Sequence, residues 1–346
     1  MVNLSSFPEG CLCYFIIFTL SISIDLMDKL IAAFPNNILD ALTIADNAVF
    51  RPFSGPISNV VICGMGGSGI GGKMVAIWLQ GELNIPVISH HDYTAPNFIN
   101  ENTLVIASSY SGNTEETLIC VEQARQKGAK IIGITSGGEL YDFCVKHDFD
   151  VVKVPGGNPP RTALAFSLVQ VTNIFVKLGF ASTERLVELK KGQEIIVAEL
   201  DSILTEAREL ANFIGEKTPV FYSAAKYEGI AVRAKQQFNE NAKILCWYHV
   251  LPEMNHNELV GWGGGDGRFA PVYFDTQDLI ARNQKRVDIS FEVIAAKAPV
   301  KCVKALGGSL IEKSIYLIHL IDWASYYLSE RNKVDPIGIR VIAHLE

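Results

Sequence analysis

The chain has 346 residues, of which 49% are hydrophobic and 19% charged, with a formal net charge of −7. That length allows two domains or one large α/β domain with an ample core, and the composition excludes a disordered chain. No basic run or basic helix face stands out, which argues against a nucleic-acid partner, although a small anion needs only a local set of donors. In chain order the first element is an apolar run, Cys11–Ile24, too short to span a membrane comfortably. Glu9 stands where a secretory signal would carry basic residues, and no clear small-residue cleavage site follows. Met27 then opens MDKLIAAFPNNILDAL, an amphipathic helical pattern. The working start is expected at Met27, with residues 1–26 an extension of doubtful status; a poor signal or anchor sequence is the alternative.

Four short β-branched runs follow, at 59–64, 85–90, 103–109 and 130–136, each bounded by Gly, Pro, Asn or Ser. Their near-continuous hydrophobicity suits parallel strands covered on both faces. Helical patterns at Gly69–Leu79, Glu115–Lys127 and Glu139–Lys146 separate several of them. The segment PGGNPPR, 155–161, cannot hold regular structure across its Pro-Pro step. Two long helical stretches come next, at about 162–179 and 183–213. A second alternating series begins at Thr218, with strand candidates PVFYS, AKILCW, RFAPVYF and VKCVKAL and helices at Glu228–Glu240, Gln277–Ala296 and Gly308–Leu328. The expected architecture is α/β: two doubly wound parallel-sheet domains, 27–160 and 214–346, joined by a helical connection over 161–213.

Seven cysteines, an odd number, lie mostly in apolar runs, as reduced thiols of a cytoplasmic protein do. Cys11 and Cys13 have no matching second pair to complete a metal site, so no metal is expected.

Two turns carry the chemistry. GMGGSGIGG, Gly64–Gly72, follows a strand and opens a helix, where free N–H groups and absent side chains favour an anion. Gly64, Gly66 and Gly69 also satisfy the dinucleotide fingerprint, but its acidic partner is misplaced: Glu82 precedes the second strand instead of ending it. A nicotinamide-dependent dehydrogenase therefore rests on a weak pattern, and a plain tight turn is the structural alternative. SSYSGNTEET, Ser108–Thr117, follows another strand. Ser109, Ser111 and Thr114 can donate to phosphate oxygens, whereas an ordinary helix cap explains one hydroxyl and not three. Both turns fall at the carboxyl ends of strands, where open α/β sheets bind ligands.

These turns resemble those of the sugar isomerase (SIS) domain family. FNENAK, 238–243, and LPEMNHNELVGW, 251–262, sharpen the likeness to its two-domain phosphoglucose/phosphomannose isomerases, over roughly residues 27–330. The resemblance implies a cofactor-independent enzyme of carbohydrate metabolism that acts on a phosphorylated hexose. It also implies a homodimer, with the active site at or near the subunit interface. Moving a proton between C1 and C2 of a sugar phosphate requires a base and donors for the enediolate, not a metal or redox cofactor. Gly67, Ser68, Ser109, Ser111 and Thr114 would hold the phosphate. Glu240 aligns with the family's catalytic base; it shares a helix face with Arg233, Gln236 and Gln237, at a helix end that disfavours a carboxylate and favours a raised pKa. Arg161 aligns with the family's active-site Arg and could steady the enediolate oxygen, or else be a surface cation after a helix-breaking turn. His256 would open the sugar ring, reaching the site of a partner subunit. The family's C-terminal Lys has no counterpart; the aligned residue is His344 or Glu346, and Arg340 is a possible substitute. A non-catalytic sugar-phosphate sensor would need the turns but neither Glu240 nor His256.

Overall fold

Two parallel sheets, each fed by alternating strands and helices, make up the protein. The computed structural model describes residues 26–343; the apolar run Cys11–Ile24 and residues His344 and Glu346 lie outside them. A helix over 26–32 leads into α1 (Phe34–Asn47). The first sheet then alternates β1 (Asn59–Cys63), α2 (Gly66–Leu79), β2 (Val87–His90), β3 (Thr103–Ser108), α3 (Glu115–Gln126), β4 (Lys130–Thr135), α4 (Gly138–Lys146) and β5 (Asp150–Lys153). Its order is β2-β1-β3-β4-β5, all parallel. The central strand β3 is buried along its whole length, as its unbroken apolar run requires.

A 3₁₀ turn at Pro160–Thr162 leads into α5 (Leu164–Lys177), α6 (Glu184–Ala198) and α7 (Leu200–Ile214). The second sheet contains β6 (Thr218–Ala224), α8 (Glu228–Glu240), β7 (Trp247–Leu251), β8 (Phe269–Asp275), α9 (Ala281–Ala295) and β9 (Lys301–Lys304), in the parallel order β7-β6-β8-β9. Helix α10 (Leu310–Asn332) follows. The expected fold class, two doubly wound parallel sheets, is the one observed. In the first four positions the two sheets share one strand order, with β6 in the place of β1, β7 of β2, β8 of β3 and β9 of β4.

Three local expectations differ. The strand expected over AKILCW lies later, at Trp247–Leu251: Lys243 takes a left-handed φ of 57° and Leu245 stands 87% exposed, so this stretch is a turn and not a sheet edge. Strand β5 was not anticipated, because its four residues begin and end with charge. The stretch 183–213 is two helices, since Glu199 leaves helical geometry at φ −101° and ψ 16°. Helix α10 has a capping-box start: Ser309 Oγ accepts from Glu312 N at 3.2 Å, while Glu312 reaches back to Gly308 N at 2.6 Å. It packs on α6, α7 and α8, and α2 packs on both α5 and α8, so one hydrophobic core runs through both halves. Leu317, Ile318, Leu320 and Ile321 of α10 are fully buried, each contributing about 1.5–3 kcal/mol. Among the described residues no helix is long and apolar enough to cross a membrane.

Candidate active site

The two motif turns meet at the carboxyl end of the first sheet. Helix α2 starts after an extended Met65 that supplies no side-chain cap, which leaves its first N–H groups free for an anion. Glycine is required here by close approach: a Cβ on Gly69 would sit 2.5 Å from the Gly64 carbonyl oxygen, and one on Gly64 2.6 Å from that of Ser108. His91, just past β2, backs the same turn by donating from Nδ1 to the Gly64 carbonyl at 2.6 Å. Sequence reading passed over His91; its place at the end of the neighbouring strand is the signal that could have found it.

Ser68 is buried, and its Oγ accepts from Tyr110 N at 3.1 Å, which ties the first turn to the second. Within the second turn, Ser109 Oγ and Thr114 Oγ1 hydrogen-bond at 2.8 Å, and Gly112 N donates to Ser109 Oγ at 3.1 Å. Ser111 is exposed, with its Oγ accepting from Asn113 N at 3.2 Å. The hydroxyls are thus held in place before any ligand arrives. Glu115 and Glu116 occupy the first turn of α3, where negative charge suits the helix dipole.

Gly67 joins this cradle to the Pro-Pro segment. A Cβ there would lie 3.0 Å from the Pro160 carbonyl oxygen and 3.4 Å from Arg161 Cα. Arg161 is not a surface cation: its side chain is only 3% exposed. Its Nη1 faces Glu240 Oε2 at 3.5 Å, its Nε donates to Asn241 Oδ1 at 2.8 Å, and its Nη2 donates to the carbonyls of Pro336 at 2.6 Å and Ile337 at 3.0 Å. Burial lowers its pKa, opposed by the charge of Glu240. Glu240 closes α8 with its side chain 27% exposed, so it is held beside a cation yet open on one side.

A buried network behind this pair fixes it. Asp322 of α10 receives Arg233 through Nε at 3.2 Å and Nη2 at 2.8 Å, and Gln237 Nε2 at 2.8 Å. Arg233 Nη2 also donates to the Arg161 carbonyl at 2.7 Å, and Asn241 Nδ2 donates to Ser325 Oγ at 2.9 Å. Burial raises the pKa of Asp322, against the pull of Arg233. Arg233 and Gln237 share the face of α8 that the helical spacing predicted. Asp322 was missed, though an acid inside the apolar run LIHLIDWASYYL needs a buried partner.

His256 stands apart. It ends a 3₁₀ turn, Glu253–His256, and is exposed; no hydrogen bond joins it to Glu240 or Arg161 among the described residues. Elsewhere in the second half, Leu245, Trp247 and Val260 are 87%, 40% and 82% exposed. Glu82, the misplaced acid of the dinucleotide pattern, pairs with Arg185 at 3.0 Å and accepts from Ser182 N at 2.9 Å. Arg340 lies in a last helical turn, Arg340–Ala343.

Two parallel sheets of shared strand order, with glycine- and hydroxyl-rich turns at the carboxyl end of the first, define a protein with the SIS fold. Residues 57–156 match the SIS domain family, and residues 203–346 match the family of bacterial phospho-glucose isomerase C-terminal SIS domains. Among solved structures, the C-terminal domain of glucosamine-fructose-6-phosphate aminotransferase from Francisella tularensis superposes with a TM-score of 0.73 at 13% identity, covering 90% of this chain and 98% of that one. Tagatose-6-phosphate ketose/aldose isomerase from Escherichia coli gives 0.66 at 15%, covering 90% and 95%. A bifunctional phosphoglucose/phosphomannose isomerase of Caldicellulosiruptor bescii is 37% identical over 320 residues, 89% of this chain and 94% of that protein. One from Aquifex aeolicus is 38% identical over 296 residues, 84% and 90% respectively. A D-glucosamine-6-phosphate 4-epimerase of Sulfolobus acidocaldarius is 32% identical over 238 residues, 68% and 74%. The chain belongs to the bifunctional phosphoglucose/phosphomannose isomerase family.

Proposed function

We propose that the protein interconverts glucose 6-phosphate, and mannose 6-phosphate, with fructose 6-phosphate through an enediolate, a step shared by glycolysis and gluconeogenesis. The observation that carries this reading is the buried Arg161 set 3.5 Å from Glu240 and packed through Pro160 against Gly67 of the cradle. In it, Gly67, Ser68, Ser109, Ser111 and Thr114 bind the phosphate. Glu240 takes the proton from one of C1 and C2 and returns it to the other. The fixed charge of Arg161 stabilises the enediolate oxygens. C2, where glucose and mannose differ, is planar in that intermediate, so one base can serve both epimers. The reading takes 27–160 and 214–346 as its two domains and 161–213 as their helical connection, in a cytoplasmic protein whose described cysteines are free thiols.

A coupled assay with all three sugar phosphates tests it. Glu240→Gln lowers turnover by at least ~100-fold while substrate binding stays within a few-fold; equal activity in that variant rejects the assignment. His256 is exposed and bonds to neither Glu240 nor Arg161 among the described residues, which supports a homodimer in which His256 of the partner subunit opens the ring. Mixing Glu240→Gln with His256→Ala subunits then restores about a quarter of wild-type activity, because half the dimers are hybrid and each has one intact site. A mixture as inactive as its parents rejects the shared site.

A further inference from the structure

The strand order equates the turn after β6 with that after β1, and the turn after β8 with that after β3. In the second half these two turns hold a closed polar cluster around Asp278. Tyr227 OH donates to its Oδ2 at 2.8 Å and Thr276 Oγ1 donates to its Oδ1 at 2.7 Å. Lys226 Nζ lies 3.1 Å from Oδ2 and Lys313 Nζ, from the first turn of α10, 3.4 Å from it. Lys226 and Lys313 also donate to the carbonyls of Asp278, at 2.9 Å, and Thr276, at 2.6 Å, so both ammonium groups are anchored. Tyr227 and Thr276 are buried, and the Lys313 side chain is 11% exposed. Two ammonium groups and two hydroxyls converging on one acceptor group are the donor set that tetrahedral oxyanions select. Burial works to raise the pKa of Asp278, yet the bonds from Thr276, Tyr227 and Lys226 leave it lowered, as expected of a carboxylate in a site made for an anion.

We propose that the turns after β6 and β8, with Lys313, form a second anion site at the place equivalent to the phosphate cradle, and that Asp278 fills it as a built-in substitute for phosphate. The first half leaves its turn open to an outside phosphate; the second closes on its own side chain, which clamps β6, β8 and α10 together. The site stands apart from the isomerase reading, since none of its residues belongs to the cradle or the Arg161–Glu240 pair.

Asp278→Ala tests this, with inorganic phosphate as the probe and chloride at equal ionic strength as the control. The variant melts below wild type. Phosphate raises its melting temperature by at least ~3 °C more than it raises that of wild type, whose gain reports the first cradle alone. Adding Lys313→Met removes the extra gain. A phosphate gain no larger than that of wild type overturns the proposal. Should Asp278→Ala be recovered only unfolded, refolding yield decides: a higher yield in phosphate than in chloride supports the site, and equal yields overturn it.

Discussion

In the first half of the protein the turns after β1 and β3 carry Gly67, Ser68, Ser109, Ser111 and Thr114; in the second, those after β6 and β8 carry Lys226, Tyr227, Thr276 and Asp278. Strand order is shared, so topology alone does not make a ligand site. Small residues and hydroxyls leave free N–H groups at a helix start, whereas charged residues of both signs pair with one another and fill the same location. In the proposed site the second half contributes from elsewhere: the last turn of α8 carries Glu240 and Asn241 follows it, both against Arg161. Changes in the open half should therefore act on substrate affinity, and changes in the closed half on stability.

The largest expected effect breaks the network behind Glu240. Asp322→Ala leaves Arg233 buried without its carboxylate, and urea denaturation should show a loss of about 3–5 kcal/mol. A loss below ~1 kcal/mol would mean that the Arg233–Asp322 pair does not hold α8 and α10 together behind Glu240. The smallest effect sharpens the contrast. Ser111 is exposed and, among the described residues, its side chain bonds only within its own turn. Ser111→Ala should raise KM for fructose 6-phosphate about 10-fold, the order expected when a hydrogen bond to a charged group is lost, with kcat and melting temperature nearly unchanged. A variant that loses stability while KM stays at its wild-type value would reverse the assignment of the open half.

Much of this was legible in the chain itself. Continuous β-branched runs marked β1, β3 and β4, because strands buried on both faces admit little else. The two turns announced themselves because close backbone approach demands glycine and because three hydroxyls exceed what a helix cap explains. Distance hid the rest. Asp322 lies 89 residues from Arg233 and Asp278 lies 51 from Tyr227, so no local pattern joins them. AKILCW has the composition of a strand, but Lys243 turns the chain before the sheet begins, and backbone reversal at a lysine leaves no trace in hydropathy.

Hydrogen exchange at the sugar tests the central pairing most directly. In deuterated water, wild type should introduce deuterium at C1 of fructose 6-phosphate, read by proton NMR, as the base trades its proton with solvent. Glu240→Gln, with phosphate binding retained, should show exchange slowed by at least ~100-fold. Exchange at the wild-type rate would contradict a proton transfer through Glu240.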